Sequence, residues 1–416
     1  MNRDYLKQIM TDQKDTYLSN PAIERNYPLE DHVNYCFVGI RRTGKSYMMY
    51  QQIRHLQENG IPLSQIVYVN FEDERLLEMS ADDLNVILEI GLEMAGVDNR
   101  PYLFLDEIQN VPDFPKVLDS LYIKNNVDIY VTGSNAYMLS SEIATMISGR
   151  YVQIEMLPLS FREYMESTGS MNDRGIKYAE YLQNSSFPYT LELKNQPNEI
   201  REYLEGIYNT IVVKDIVNRK KITDTMMLKS VLQFIFDNIG NPLSSKKIAD
   251  TMTSAGRKID TRTIEKYLEA FRESYIIYQT KRYDIKGKQY LKTLEKYYIV
   301  DIGMRYMLLG SRQADAGHIL ENVVYLELLR RGYDVYVGKI DNYEVNFVAQ
   351  SHKGTIYYQV ALIVRDEKTL QRELRPLQAI RDHYPKVILT MDEDSEIQYD
   401  GIRRINARDW LLGLTD

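Results

Sequence analysis

The run Gly39-Ile40-Arg41-Arg42-Thr43-Gly44-Lys45-Ser46 satisfies G-x-x-x-x-G-K-[ST] in full, and no other feature constrains this chain as strongly. The pattern has a mechanism. Its glycines let the backbone wrap an anion, and the N–H groups at the start of the following helix point at phosphate oxygens. Lys45 can reach the β- and γ-phosphates of a nucleotide, and Ser46 can ligate Mg²⁺. Arg41 and Arg42 lie inside the loop and face either a phosphate or solvent. Upstream, Tyr35-Cys36-Phe37-Val38 is a short apolar run suited to a buried strand. Downstream, Tyr47, Met48 and Tyr50 to Leu56 contain no breaker and predict a helix. Strand, loop and helix is the order a phosphate loop requires; the alternative is a glycine-rich surface turn.

A second strand, Ile66 to Phe71, ends in Glu72-Asp73, and a third, Tyr102-Leu103-Phe104-Leu105, runs into Asp106-Glu107. Four apolar residues followed by Asp-Glu suit a strand that delivers Asp106 to a Mg²⁺ shell. Glu107 can then orient and deprotonate a water. Many small-molecule kinases lack this Glu, whereas ATP hydrolases of the additional-strand class use it. A fourth strand, Asp128 to Val131, ends in Thr132-Gly133-Ser134-Asn135. Ser134 or Asn135 is a candidate γ-phosphate sensor, with capping of the next helix as the alternative. Ser148-Gly149-Arg150 precedes a strand-like Tyr151 to Ile154. Arg150 is a candidate arginine finger, in cis or toward a neighbouring subunit, or else a surface residue at a strand start. The catalytic candidates are therefore Lys45, Asp106, Glu107 and Arg150.

Composition bounds the rest. The 416 residues suggest two to four domains, and 44% hydrophobic with 26% charged residues is ordinary for a soluble globular chain. No stretch approaches the roughly 18 apolar residues of a membrane span, and Met1-Asn2-Arg3-Asp4-Tyr5 lacks a signal-peptide core. Cys36 is the single cysteine, which excludes an internal disulfide and favours a cytoplasmic protein; it reads as a buried core thiol. Five scattered histidines give no zinc signal. The net charge of −8 hides an asymmetry, since residues 223–312 hold 16 Lys/Arg against 10 Asp/Glu. Arg219-Lys220-Lys221 lies just before them. A basic middle in an acidic chain is either a nucleic-acid footprint or a solvated helix face.

Gly-Ile-Arg-Arg-Thr-Gly-Lys-Ser, Leu-Asp-Glu-Ile-Gln at 105–109, Thr-Gly-Ser at 132–134, and Ser-Gly-Arg leading into Pro158-Leu159-Ser160-Phe161-Arg162-Glu163 together resemble AAA+-superfamily ATPases of bacteria and archaea. Relatives of this kind carry a winged-helix segment and a C-terminal restriction-endonuclease-like domain. The resemblance spans nearly the whole chain.

Residues 165–222 are polar and helical in pattern, with Pro188 and Pro197 as breaks, and predict a lid or connector. Leu228, Val231, Leu232, Ile235 and Phe236 then recur at helical spacing. Gly240-Asn241-Pro242 stops that helix, Ser244 or Ser245 caps a short one, and Asp260 or Thr261 opens a third with Ile264, Tyr267, Leu268 and Phe271 inward. Its outward face carries Arg262, Lys266 and Arg272. Two strand-like runs, at 275–278 and 297–300, flank a basic hairpin with Lys286-Gly287-Lys288. Three helices and a basic hairpin suggest a winged helix that either contacts DNA or mediates protein interaction.

From Ala316 the pattern is a largely buried helix, three strands, a helix and a strand. The resemblance implies a PD-(D/E)xK nuclease fold, whose site needs an acidic cluster for Mg²⁺ and a lysine to activate water. The matching residues are Glu321, then Glu344-Val345-Asn346, then Gln359-Val360-Ala361. Asn346 stands where the metal-binding Asp is expected and Ala361 where the Lys is expected, so the site reads as degenerate.

The expectation is an α/β chain with an AAA+-like P-loop NTPase core of parallel sheet at 1–164 and a helical connector at 165–222. A winged helix follows at 223–312, and a degenerate nuclease-like α/β domain at 313–416. Its cofactors are ATP and Mg²⁺, and its function is that of an ATPase. The alternatives are a nucleotide-gated scaffold without turnover and an ATP-regulated nuclease. DNA, an unidentified protein and an oligomeric state remain open as partners, with no membrane association.

Overall fold

The computed structural model describes the chain apart from residues 21–22, 97–98, 125–126, 134–148, 170, 194–195, 311–314, 395 and 416, and apart from the side chains of residues 124 and 291–293. The chain divides into two compact units, Met1–Met156 and Leu157–Asp416.

The first unit runs α1 (Arg3–Ser19), β1 (Tyr35–Val38), α2 (Lys45–Glu58), β2 (Ile66–Asn70), α3 (Ala81–Ala95), β3 (Tyr102–Asp106), α4 (Phe114–Lys124), β4 (Asp128–Gly133) and β5 (Val152–Glu155). Its five strands are all parallel, in the order β2-β3-β4-β1-β5. Strand β4 therefore separates the phosphate-loop strand β1 from β3, the strand that ends in Asp106. This is the additional-strand arrangement expected from Asp106-Glu107. Parallel strands covered on both faces read as unbroken apolar runs, as β1 and β3 do, every residue of each being buried. Phe104 and Tyr130 stack at 4.5 Å between centroids, and Tyr35 stacks on Tyr130 at 5.8 Å. Full burial of an aromatic of this kind is worth roughly 1.5–3 kcal/mol.

Helix α1 has a polar sequence but a structural task. Gln13 accepts a hydrogen bond from the Asn70 N–H at 2.8 Å and donates to the Asn70 carbonyl at 3.2 Å and to Asp73 at 3.0 Å. One amide thus satisfies backbone groups at the end of edge strand β2.

The second unit begins with α5 (Phe161–Ser167), α6 (Arg174–Gln183) and α7 (Pro197–Thr210), which continues as a π-helical stretch, Ile211–Asn218. Pro197 opens α7 at its first turn, a position with no intrahelical N–H bond to lose. Residues 157–164, expected with the first module, pack within the second: Leu159 O accepts from the Tyr181 hydroxyl at 2.9 Å and Pro158 O from Arg330 at 2.8 Å.

Next come α8 (Thr225–Asp237), β6 (Pro242–Leu243), α9 (Ser245–Ser254), α10 (Thr261–Glu273), β7 (Ile277–Asp284), β8 (Gln289–Ile299) and α11 (Ile302–Leu309). Ser244 and Asp260 are the caps of α9 and α10, accepting from Lys247 N and Thr263 N. The remainder is α12 (Ala316–Arg330), β9 (Asp334–Ile340), β10 (Tyr343–Ser351), β11 (Gly354–Val360), α13 (Glu367–Gln378), β12 (Lys386–Thr390), β13 (Ile397–Tyr399), β14 (Ile402–Asn406) and α14 (Ala407–Leu411). One nine-stranded mixed sheet, β13-β14-β12-β11-β10-β9-β7-β8-β6, runs through the unit. The segments expected as separate domains, 223–312 and 313–416, share it through parallel pairing of β7 with β9. Among the described residues, no helix is long and apolar enough to cross a membrane.

Cys36 sits inside β1, and burial pushes its thiol up to about 12. The thiolate is the reactive form, so the folded chain should resist thiol reagents at neutral pH. We expect Ellman's reagent to label Cys36 at least 100-fold faster in denaturant than in the native protein; equal rates would place the thiol outside the core.

Candidate nucleotide site and a second acidic centre

Residues 39–46 connect β1 to α2 where the parallel strands end. Gly39 has φ +137°, and a Cβ there would lie 2.4 Å from the Met156 carbonyl oxygen. Gly44 has φ 93° and immediately precedes α2. These two positions require glycine for different reasons, close backbone approach at the first and a left-handed turn at the second. The Lys45 ammonium, 4% exposed, donates to the carbonyls of Gly39 and Ile40 at 3.0 Å each. Thr43 closes the loop by donating to Ile40 O at 3.0 Å. The first N–H groups of a helix have no partner within it, which leaves the start of α2 suited to an anion. Arg42 takes a positive φ of 68°, and Arg41 contacts Glu72 at 3.4 Å.

Asp106 ends β3 fully buried. It accepts from the Tyr68 hydroxyl at 2.8 Å, from the Thr132 hydroxyl and from Ser46. Burial and the adjacent Glu107 push its carboxyl above the usual range, while Thr132, Ser46 and Tyr68 act in the opposite direction. Thr132 also accepts from the Glu107 N–H at 2.8 Å. Glu107 itself adopts φ 55°, an uncommon conformation for a side chain of this kind, and its carboxylate accepts from Gln109. Ser46 and Asp106, one on the loop and one on the strand two places away, are thus in hydrogen-bond contact. A hydroxyl and a carboxylate are the oxygen donors that Mg²⁺ uses beside a nucleotide, so the residues present fit that ion.

Three residues missed by sequence reasoning complete this site. Thr132 was noted within the Thr-Gly-Ser run, but it is the side chain that joins Asp106 to Glu107. Tyr68 holds Asp106 from β2. Arg25, 3% exposed, donates to Thr43 O at 2.9 Å, while its backbone exchanges two 2.9 Å bonds with the side chain of Gln51 on α2. Tyr68 is the one side chain with a hydroxyl in the apolar stretch Ile66–Val69, which could have pointed to it; nothing local marks Arg25. Ser134 and Asn135 lie outside the described residues.

Arg150 is not at the phosphate loop of its own chain. Val152 pairs with Tyr35 at the beginning of β1, so Arg150 sits where the strands start, and the loop lies where they end. Its guanidinium is paired with Asp119 and lies 5.5 Å from the centroid of the Tyr122 ring. The cis arginine finger is therefore corrected to a residue that braces β5 against α4.

In the second unit, Arg262, Lys266 and Arg272 are exposed on α10, but Glu265 and Glu269 are exposed there too. Lys286 pairs with Asp341, Lys288 is exposed in the β7–β8 turn, and Arg219 and Lys220 pair with Glu273. Acidic groups are thus interspersed with these bases.

Glu321, Glu344, Asn346 and Gln359 do come together. Asn346 donates to Glu321 at 2.9 Å, its Oδ1 accepts from Val360 N at 3.1 Å, and its N–H donates to Gln359 Oε1 at 3.0 Å. Gln359 donates in turn to Glu373 at 3.0 Å. Ala361, buried just past β11, contributes only a methyl group. Among the described residues no group of three or more His, Cys, Asp or Glu is arranged to hold a metal ion. Lys296, from β8, was not singled out in the sequence and lies between Glu321 and Glu344.

Gly39→Ala forces a Cβ onto a carbonyl oxygen at a φ that side chains avoid. We expect a loss of at least ~1–3 kcal/mol, read by urea denaturation. An unchanged midpoint would show that the loop does not need this close approach.

Residues 33–165 match the AAA domain family, and residues 176–315 match a domain of unknown function (DUF8612). An uncharacterized protein of Haemophilus influenzae is 38% identical over 380 residues, covering 90% of this chain and 93% of that protein. The uncharacterized protein MJ1544 of Methanocaldococcus jannaschii is 34% identical over 328 residues, covering 74% of this chain and 70% of its own length. Among solved structures, the Walker-type ATPase PABY2304 of Pyrococcus abyssi aligns with a TM-score of 0.45 at 14% identity, over 72% of this chain and 94% of that chain. The chain carries an AAA domain on a five-stranded parallel sheet, and it belongs to one protein family with the Haemophilus influenzae and Methanocaldococcus jannaschii sequences.

Proposed function

We propose that the first unit binds MgATP at residues 39–46 and hydrolyses it with Asp106 and Glu107. The observation that carries this reading is the linked set at the strand ends: Ser46 and Thr132 on Asp106, and Thr132 on the Glu107 N–H. Ser46 and Asp106 would hold Mg²⁺, which supplies neutralisation of charge on the phosphate oxygens. Lys45, whose ammonium bonds the carbonyls of Gly39 and Ile40, would meet a phosphate oxygen there in a charge-assisted hydrogen bond. Glu107 orients a water and takes its proton, and Thr132 sets the direction of both acids. Met156, the residue before the second unit, has its carbonyl against Gly39 and its N–H on Val38 O at 2.8 Å. This supports coupling of loop occupancy to the second unit through the chain itself.

In the second unit, α8–α10 with β6–β8 support a winged-helix reading, and α12 with β9–β12 and α13 support a nuclease-like one. Cleavage is not part of the proposal, because Asn346 and Ala361 lack the required charge and base. Protein contact is favoured over DNA contact for the winged segment, since the exposed face of α10 mixes Glu265 and Glu269 with its three bases.

We expect Glu107→Gln to retain binding of a fluorescent ATP analogue while phosphate release falls at least ~100-fold, and Lys45→Ala to lose binding itself. Tight binding without turnover in the wild type would replace the hydrolase reading with a nucleotide-gated scaffold. Thr132→Val keeps the shape but removes both hydrogen bonds. Its kcat should fall about 10-fold or more with little change in nucleotide Kd; a change in Kd alone would deny Thr132 its positioning role.

A further inference from the structure

Lys296 is a charged side chain buried to 3% exposure, and its partners decide what it does. Its ammonium is 2.9 Å from Glu321 Oε1 on α12 and 2.9 Å from Glu344 Oε1 on β10. Tyr298, two residues along β8, donates to the same Glu321 oxygen at 2.6 Å, and Asn346 donates to the other at 2.9 Å. Both oxygens of Glu321 are therefore engaged. The backbone of Lys296 is also fixed on both sides, opposite Thr280 of β7 and Pro242 of β6.

We propose that Lys296 is a tethered cation that closes the acidic centre of Glu321 and Glu344, taking the position a divalent metal ion would need and fastening the β7–β8 hairpin to α12 and β10. Two carboxylates brought this close repel each other unless a positive charge lies between them. In sites of this composition that charge is ordinarily a divalent ion with oxygen ligands. Here the chain supplies it from a neighbouring strand. Burial disfavours the Lys296 ammonium, and the two carboxylates 2.9 Å away favour it. Asn346 and Gln359 fit the same arrangement, because a centre already neutralised by an ammonium is better served by neutral amides than by further acids. The centre thus acts as a clamp between two segments of one sheet.

The test uses the 416-residue chain without nucleotide and Mn²⁺, with free Mn²⁺ followed by electron paramagnetic resonance. Wild type should take up no Mn²⁺ that depends on Glu344. Lys296→Met removes the ammonium while keeping an apolar stem, and should bind one Mn²⁺ at least 10-fold more tightly than wild type. Lys296→Met/Glu344→Gln should lose that ion. If Lys296→Met is unfolded alone, Mn²⁺ should restore its folding, read by circular dichroism, and leave the wild-type melting temperature unchanged. Mn²⁺ uptake by wild type that disappears in Glu344→Gln would overturn the proposal. So would a Lys296→Met chain that neither binds Mn²⁺ nor is restored by it.

Discussion

The first unit depends on a carboxylate that has been taken completely out of water. A buried charge is tolerated only when its oxygens are met by donors, and Asp106 has three. They come from three different places: Tyr68 on β2, Thr132 at the end of β4 and Ser46 on the phosphate loop. Each can reach only if the strands stand in the order observed, with β4 inserted between β1 and β3. The sheet order and the satisfaction of Asp106 are one constraint. Tyr68 is a suitable donor because burial and Asp106 hold its hydroxyl well above the ordinary range, so it keeps its proton.

The two buried lysines show how the partner chosen for a cation sets its use. Lys45 bonds the carbonyls of Gly39 and Ile40 within the phosphate loop. Lys296 rests on buried Glu321 and on the partly exposed Glu344, a charge-assisted pairing. The contrast agrees with the proposals made for the two sites, nucleotide binding at the loop and a structural clamp at the second acidic centre.

Much of the fold was legible in the residues. The largely apolar runs read at 35–38, 66–71, 102–105 and 128–131 fall on strands, because a sheet covered on both faces favours apolar sequence. The helices at 225–237, 245–254 and 261–273 were marked by spacing and caps. Helix α1 was not, since it buries only a narrow stripe and its most important side chain is the polar Gln13. Pro197 lies at a helix boundary because proline is excluded from a helix interior but suits a first turn. At the candidate site, the loop, Asp106 and Glu107 were legible from spacing. Arg25 and Lys296 were not, because each acts on residues that are distant in sequence.

The sequence by itself determined the local chemistry: a loop whose glycines and lysine suit phosphate, and a strand ending in two acids. These are short-range facts, set by residues within a few positions of one another. Only the tertiary structure decided which distant groups complete them. It put Thr132 on both Asp106 and Glu107, left Arg150 at the opposite end of the sheet with Asp119, and brought Lys296 between Glu321 and Glu344. The physical reason is that a buried charge must be answered in three dimensions, and strand pairing, not sequence spacing, governs which side chains can answer it.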